Sequence, residues 1–141
     1  SQKALLYKKL LKHFCEGVVG KNIAIWGLAF KPETDDMREA TSLVLIDLLV
    51  GAGAHVQVYD PIAMPECKRK VGNRVVYAND MYEAVIDADA LLVVTEWKEF
   101  RLPSWKKKKK VMRHRVLIDG RNIYDAEEMK KQGFVYECIG K

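Results

Sequence analysis

No run of apolar residues in this chain approaches the ~18 that a membrane-spanning helix needs, so no membrane association is expected. The opening Ser1-Gln2-Lys3-Ala4-Leu5-Leu6 lacks the long apolar core and small-residue cleavage site of a secretory signal. Ser1 stands where a start methionine would, as expected of a processed product or, in preference, of a piece excised from a longer protein. Cysteine is scarce: Cys15, Cys67 and Cys138 are odd in number and widely spaced, with no CxxC pair. Neither bound metal nor a disulfide framework is therefore expected, and a reducing cytoplasm is the simplest home. The three thiols fall in helical, loop and strand-end contexts and read as small buried or surface groups, not as activated nucleophiles. Low-complexity sequence is also missing, and 49% hydrophobic residues in a chain of 141 suffice to fill one core.

Positive charge is in excess, but only locally. The net charge of +5 comes from Lys106 to Lys110, and without them 19 basic residues balance 19 acidic ones. A distributed nucleic-acid footprint would need interleaved aromatics or a recognition motif, and neither accompanies the run. It reads as a solvated helix face or loop, with no nucleic-acid partner expected.

Apolar segments alternate with helical patterns along the chain. Residues 22–27, 54–61, 74–77, 90–95, 115–120 and 134–137 read as strands, that over 90–95 apolar throughout, as for a strand covered on both faces. Between them, residues 43–50 run towards Gly51 and Gly53, which suit a helix end. Asp80 and Asp125 are placed to cap helices over 81–86 and up to Gly133. Residues 61–70 and 104–112 are weaker helical candidates. This cadence implies parallel pairing through right-handed crossovers and an α/β fold. The fold expected is a three-layer, Rossmann-like, doubly wound and mainly parallel sheet of about six strands in the order 3-2-1-4-5-6. Residues 1–20 stand apart, with Leu5, Leu6, Leu10 and Leu11 in an apolar stripe at helical spacing. They read either as a helix packed on its own domain or, in preference, as the end of a connector helix from a preceding domain, with residues 21–141 as the domain itself.

In such a sheet, ligands collect beyond the carboxyl ends of the strands, where strand order reverses. The loop Gly27-Leu28-Ala29-Phe30-Lys31-Pro32 leaves the first strand where a dinucleotide-binding domain has GxGxxG, yet Ala29 and Phe30 stand where glycines would be needed. A side chain would have to grip a phosphate instead, and Lys31 and Arg38 offer an ammonium and a planar fork. By charge alone both would more often be surface residues. Asp35 and Asp36 suit a helix cap or ion pairs to these cations. Gly120 permits a sharp turn after the fifth strand, which projects Arg121 at the same rim, unless a salt bridge to Asp119 or Asp125 occupies it. Asp60 ends the second strand 33 residues beyond Gly27, too far for the ribose-binding acid of the dinucleotide fingerprint, and beside Pro61 reads as a turn residue. His13, His55 and His114 are scattered, and no catalytic triad is legible.

These segments carry a resemblance. Trp26-Gly27-Leu28-Ala29-Phe30-Lys31-Pro32 followed by Thr34-Asp35-Asp36 and Arg38-Glu39-Ala40 resembles the start of the C-terminal domain of UDP-glucose 6-dehydrogenases. Val58-Tyr59-Asp60-Pro61, Thr95-Glu96-Trp97, Asp119-Gly120-Arg121-Asn122-Ile123-Tyr124-Asp125 and Ile139-Gly140 are similar to later segments of that domain, in the same order. The resemblance implies a domain that holds the UDP portion of UDP-glucose while the whole enzyme oxidises it to UDP-glucuronate with two NAD molecules. It assigns Phe30, Lys31 and Arg121 to the nucleotide sugar and Arg38 to the NAD phosphates. NAD itself would sit mainly on an N-terminal domain, and the nucleophilic cysteine in a segment this chain does not contain, so no catalytic residue is expected here and the chain alone should not turn over. The full enzyme is expected to be a homodimer assembled through its connector helix. GDP-mannose and UDP-N-acetylmannosamine dehydrogenases share the scheme and are the alternatives within it. A stand-alone nucleotide-binding regulatory module is the alternative outside it.

Overall fold

The computed structural model describes residues 2–38, 40–104 and 112–139. Lys106 to Lys110, and most of the helix expected over 104–112, lie outside them.

Six strands form one sheet: β1 (Asn22–Trp26), β2 (His55–Tyr59), β3 (Val76–Tyr77), β4 (Ala90–Val93), β5 (Val116–Asp119) and β6 (Val135–Cys138). Every neighbouring pair is parallel, and the order is β3-β2-β1-β4-β5-β6, as the alternation of elements implies. Residues of β1 alternate between the two faces: Ile23 and Ile25 join one core, Ala24 and Trp26 the other. Leu92 of β4 likewise faces the first core and Leu91 and Val93 the second, so the strand is buried on both sides.

Helices supply the outer layers. The first face carries α1 (Leu5–Leu11), α2 (Thr41–Gly51) and α3 (Met64–Val71), through Leu6, Leu10, Leu45, Ile46, Leu49 and Cys67. The second carries α4 (Lys98–Arg101) and α5 (Ala126–Lys131), through Phe100 and Met129. There Phe100 stacks on Trp26 with ring centroids 5.1 Å apart. Asp125 caps α5, its carboxylate accepting the Glu128 N–H at 2.9 Å, and Gly133 leaves the helix at φ 86°. Asp80 accepts the Glu83 N–H at 2.8 Å, but the helix it was expected to start is only a 3-10 turn, Glu83–Val85. The chain there must reach β4 within a few residues, which leaves no room for further turns.

Other differences are local. The strand expected from residue 74 starts at 76, because Gly72–Arg74 coil as a 3-10 turn. Cys67 lies inside α3, not in a loop, and Cys15 lies past the end of α1 and is exposed. The stripe in residues 1–20 packs on the domain's own sheet, with Leu6 and Leu10 in the same core as α2, an arrangement open equally to a helix of this domain and to the end of a connector. Among the described residues no helix is long and apolar enough to cross a membrane.

Candidate functional site

β1, β4 and β5 are adjacent at the centre of the sheet, so the loops leaving their carboxyl ends emerge together where strand order reverses. The β1 loop is anchored by Asp60, which is fully buried. Its Oδ2 accepts the N–H of Leu28 at 2.8 Å, that of Ala29 at 3.4 Å and the indole N–H of Trp97 at 3.3 Å. Its Oδ1 accepts the N–H groups of Ile62 and Ala63, both at 2.8 Å. Donors from three loops thus converge on one carboxylate, the hydrogen bonding that makes burial of such a group tolerable. Asp60 is a turn residue, as its place beside Pro61 suggests, and it is also the knot of the rim.

Two hydroxyls complete the anchoring. Thr95 donates to the Ala29 carbonyl at 2.8 Å and Ser42 to the Leu28 carbonyl at 2.6 Å. Gly27 makes the approach possible: it turns at φ 95°, and a Cβ there would lie 2.5 Å from the Thr95 nitrogen.

This anchoring decides what the loop can offer an anion. In a glycine-rich dinucleotide loop the main-chain N–H groups at this place face the pyrophosphate. Here those of Leu28 and Ala29 are taken by Asp60, and that of Phe30 by the Asp36 carbonyl at 2.9 Å. Side chains remain. The Phe30 ring is 56% exposed at the rim. The Lys31 ammonium is exposed and makes no hydrogen bond or ion pair among the described residues. Arg38 donates from its N–H and its Nε to Asp36 Oδ1, both at 3.1 Å, and from Nη2 to Oδ2 at 2.9 Å. Those Arg38 hydrogen bonds pull the Asp36 carboxyl down to about 2. Of the two roles open to this acid it takes the second: it holds a cation, while α2 starts after Ala40 with no side-chain cap.

The β5 loop is knotted the same way by Asp119, also fully buried. Oδ1 accepts the Arg121 N–H at 3.0 Å; Oδ2 accepts the N–H groups of Ile123 at 2.8 Å and Tyr124 at 3.0 Å, and the Tyr136 hydroxyl at 2.7 Å. Burial pushes the Tyr124 and Tyr136 phenols far above their ordinary range, with the Asp119 carboxylate adding to it. Because Asp119 and Asp125 are occupied by main-chain donors, neither pairs with the Arg121 guanidinium. Arg121 Nε donates instead to Glu96 Oε2, in the loop after β4. Its two terminal amino groups make no hydrogen bond among the described residues. Gly120 is needed for a different reason than a turn: its φ is ordinary, but a Cβ there would lie 2.7 Å from Leu6 Cδ1 and 2.8 Å from the Val93 carbonyl oxygen.

A cavity of about 460 Å³ opens between the β1 and β4 loops, lined by Pro32, Glu33, Glu96, Trp97 and Glu99 among others. Glu96 therefore links this cavity, which neither Lys31 nor Arg121 lines, to the Arg121 guanidinium. A smaller cavity of about 160 Å³ lies against Arg121, Gly120, Leu6 and Lys3. The histidines are elsewhere: His13 and His114 border a third cavity of about 440 Å³ with Cys15 and Lys21, near the amino ends of β1 and β5. Asp60 and Glu96 are among the rim residues whose site role is not evident from sequence. The signals were an acid closing a strand before proline and an acid directly after a fully apolar strand.

A doubly wound parallel sheet with this strand order, and cationic side chains on the loops at its reversal point, defines a Rossmann-like domain of the dehydrogenase type. Residues 24–126 match the UDP binding domain of the UDP-glucose/GDP-mannose dehydrogenase family, and the chain belongs to that family. It is 44% identical over 124 residues to the UDP-glucose 6-dehydrogenase TuaD of Bacillus subtilis, covering 88% of this chain and 27% of that protein. Against a UDP-glucose 6-dehydrogenase of Pseudomonas aeruginosa it is 43% identical over 145 residues, covering 99% and 32%. Among solved structures, a UDP-glucose dehydrogenase from Pyrobaculum islandicum superposes with a TM-score of 0.78 at 28% identity, over 96% of this chain and 29% of that one. An NDP-N-acetyl-D-galactosaminuronic acid dehydrogenase from Methanosarcina mazei gives 0.79 at 31%, over 99% and 28%. The chain thus spans about a third of the length of these relatives, or somewhat less.

Proposed function

We propose that this chain is the C-terminal, UDP-holding domain of an NAD-dependent UDP-glucose 6-dehydrogenase, and that it grips the nucleotide sugar through Phe30, Lys31 and Arg121. One observation carries the reading. The main-chain N–H groups at the end of β1 are consumed by Asp60 and Asp36, while neither the Lys31 ammonium, which feels the Asp36 charge, nor the Arg121 terminal amino groups make a hydrogen bond among the described residues. A rim so built takes an anion by side chains, which suits a diphosphate approached from two loops and not a dinucleotide laid along a glycine turn.

In this reading Lys31 and Arg121 neutralise the diphosphate, and the exposed Phe30 ring gives the nucleotide sugar an apolar surface. Holding the remote UDP group converts its binding energy into placement of the sugar carbon to be oxidised. NAD, bound mainly by another domain, accepts the hydride; Arg38, directed by Asp36, is suited to its phosphates. Residues 1–20 are the end of the connector helix and residues 21–141 the domain, which acts with the remaining domains as a cytoplasmic homodimer. The chain alone supplies grip without bond chemistry.

Titration calorimetry with UDP, UDP-glucose and GDP tests this. Weak binding of UDP and UDP-glucose is expected, falling about tenfold in Lys31→Ala and in Arg121→Ala, because each removes a charge-assisted contact to phosphate. GDP should bind more weakly still. Absence of UDP binding, or binding indifferent to both substitutions, would sink the proposal, and NADH formation by the chain alone would refute its division of labour.

A further inference from the structure

We propose that Glu96 is a positioning residue for the anion site: it fixes the Arg121 guanidinium by its Nε edge and so presents the terminal amino groups to the diphosphate. The inference rests on the proposed UDP site and deepens it.

The argument starts with how firmly Glu96 is itself held. Thr95, the residue before it, is fully buried, donates its hydroxyl to the Ala29 carbonyl at 2.8 Å, and packs against Gly27. Trp97, the residue after it, donates its indole N–H to buried Asp60 at 3.3 Å. Glu96 therefore stands between two neighbours tied to the β1 and β2 loops, and its side chain is only 25% exposed. Its Oε2 takes Arg121 Nε across 25 residues of sequence. The Arg121 main chain is fixed independently, by its N–H bond to buried Asp119. A long side chain pinned at its backbone and again at Nε loses most of its rotamers before any ligand arrives, so ordering it no longer opposes binding.

The chemistry of the fork gives the second step. A guanidinium carries donors on Nε and on both terminal nitrogens in one plane. The Nε donor is used by Glu96, and the terminal amino groups are not used by any described residue. The free edge can meet two phosphate oxygens at once. Glu96 also brings a negative charge near the site, and a role limited to charge would be competition: it would weaken a diphosphate by drawing Arg121 away. Positioning and competition predict opposite responses to the same substitutions.

UDP calorimetry on the 141-residue chain separates them. Glu96→Gln keeps an acceptor at the same reach and removes the charge; it should bind UDP at least as well as the wild type. Glu96→Ala and Glu96→Asp lose the reach, and each should weaken UDP about fivefold, a coupling typical of groups in direct contact. In an Arg121→Ala background, Glu96→Ala should cause no further weakening. Equal or tighter UDP binding by both the Ala and Asp variants would overturn the positioning role and leave the site reading intact. Persistence of the weakening without Arg121 would overturn it as well, since the effect would then not pass through the guanidinium. Failure of the wild-type chain to bind UDP would remove the site reading, and this inference with it. Should Glu96→Ala not fold, Glu96→Asp against the wild type decides the matter, because it keeps the charge and loses only the reach: weakening supports positioning, and unchanged UDP binding overturns it.

Discussion

Asp60 Oδ2 lies 2.8 Å from the Leu28 nitrogen, so the carboxylate that closes β2 sets the course of the loop that leaves β1. The two residues are 32 positions apart in the chain, and their bond is buried. It joins the loop that carries Phe30 and Lys31 to the end of β2, and through the Trp97 indole to the loop that carries Glu96. The rim is thus a set of loops tied to shared acids beneath them, with the cations above.

Asp60→Ala should accordingly be among the most damaging single substitutions. It strands the buried main-chain donors of Leu28, Ala29 and Ala63, at about 1–3 kcal/mol for each that finds no new partner, while the part-buried Ile62 N–H can turn to water. A net loss of at least ~3 kcal/mol in a urea melt is expected after relaxation. Asp60→Asn should fall between the two, since it keeps one acceptor oxygen and turns an amide NH₂ towards donors. A midpoint within experimental error of the wild type for Asp60→Ala would show that the knot is dispensable.

Gly27→Ala tests the close approach beneath the same loop. Both the φ of 95° and the 2.5 Å distance from the added Cβ to the Thr95 nitrogen oppose a side chain, and the obstacle is main chain that cannot swing aside. A cost of about 2–3 kcal/mol is expected, together with weaker UDP binding because Lys31 moves with the loop. Unchanged stability would mean that the β1 and β4 loops can separate freely.

Alkali should unfold this domain earlier than its charge alone would suggest. Burial raises Tyr124, Tyr136 and Tyr77 above their ordinary value and pushes the Cys67 thiol up to about 11. In the unfolded chain the thiol ionises near 9 and the phenols near 10, whereas in the fold all four stay neutral. The stability they contribute is therefore complete below pH 9; it declines as the unfolded thiol ionises, between about 9 and about 11 for Cys67, and above 10 for the phenols. Tyrosinate absorbance followed beside circular dichroism checks this: the late-ionising phenols should appear together with loss of helix. Full ionisation of all the tyrosines near pH 10 in a chain with native circular dichroism would contradict it.

Much of the fold is legible in the residues themselves, because its determinants are local or periodic. The apolar run at 90–94 announces a strand buried on both faces, and the alternation of strands and helices implies the observed order. What joins distant segments is not legible. Nothing around Asp60 says that its carboxylate will turn back under Leu28, and nothing around Glu96 says that Arg121 will meet it, since each bond depends on loops brought together by the completed sheet. The same holds for Gly120, which reads as a turn former in sequence. In the fold it is small because Leu6, over a hundred residues earlier, passes directly above it.

That last contact yields a test of how residues 1–20 relate to the rest. Gly120→Ala would place a Cβ 2.7 Å from Leu6 Cδ1 and 2.8 Å from the Val93 carbonyl oxygen. Leu6→Ala removes the first obstacle but leaves the second, which is main chain. Alone, Gly120→Ala should cost about 1–3 kcal/mol as an overpacked site, and Leu6→Ala about 2–4 kcal/mol as a cavity at a residue 4% exposed. The double variant should be less destabilised than the two summed, by about 1 kcal/mol, because the truncated Leu6 makes room for the new methyl group. Strict additivity would show that the amino-terminal helix does not press on the β5 loop in solution. A positive coupling would establish that this helix bears on the residue next to Arg121, and so on the loop proposed to hold the diphosphate.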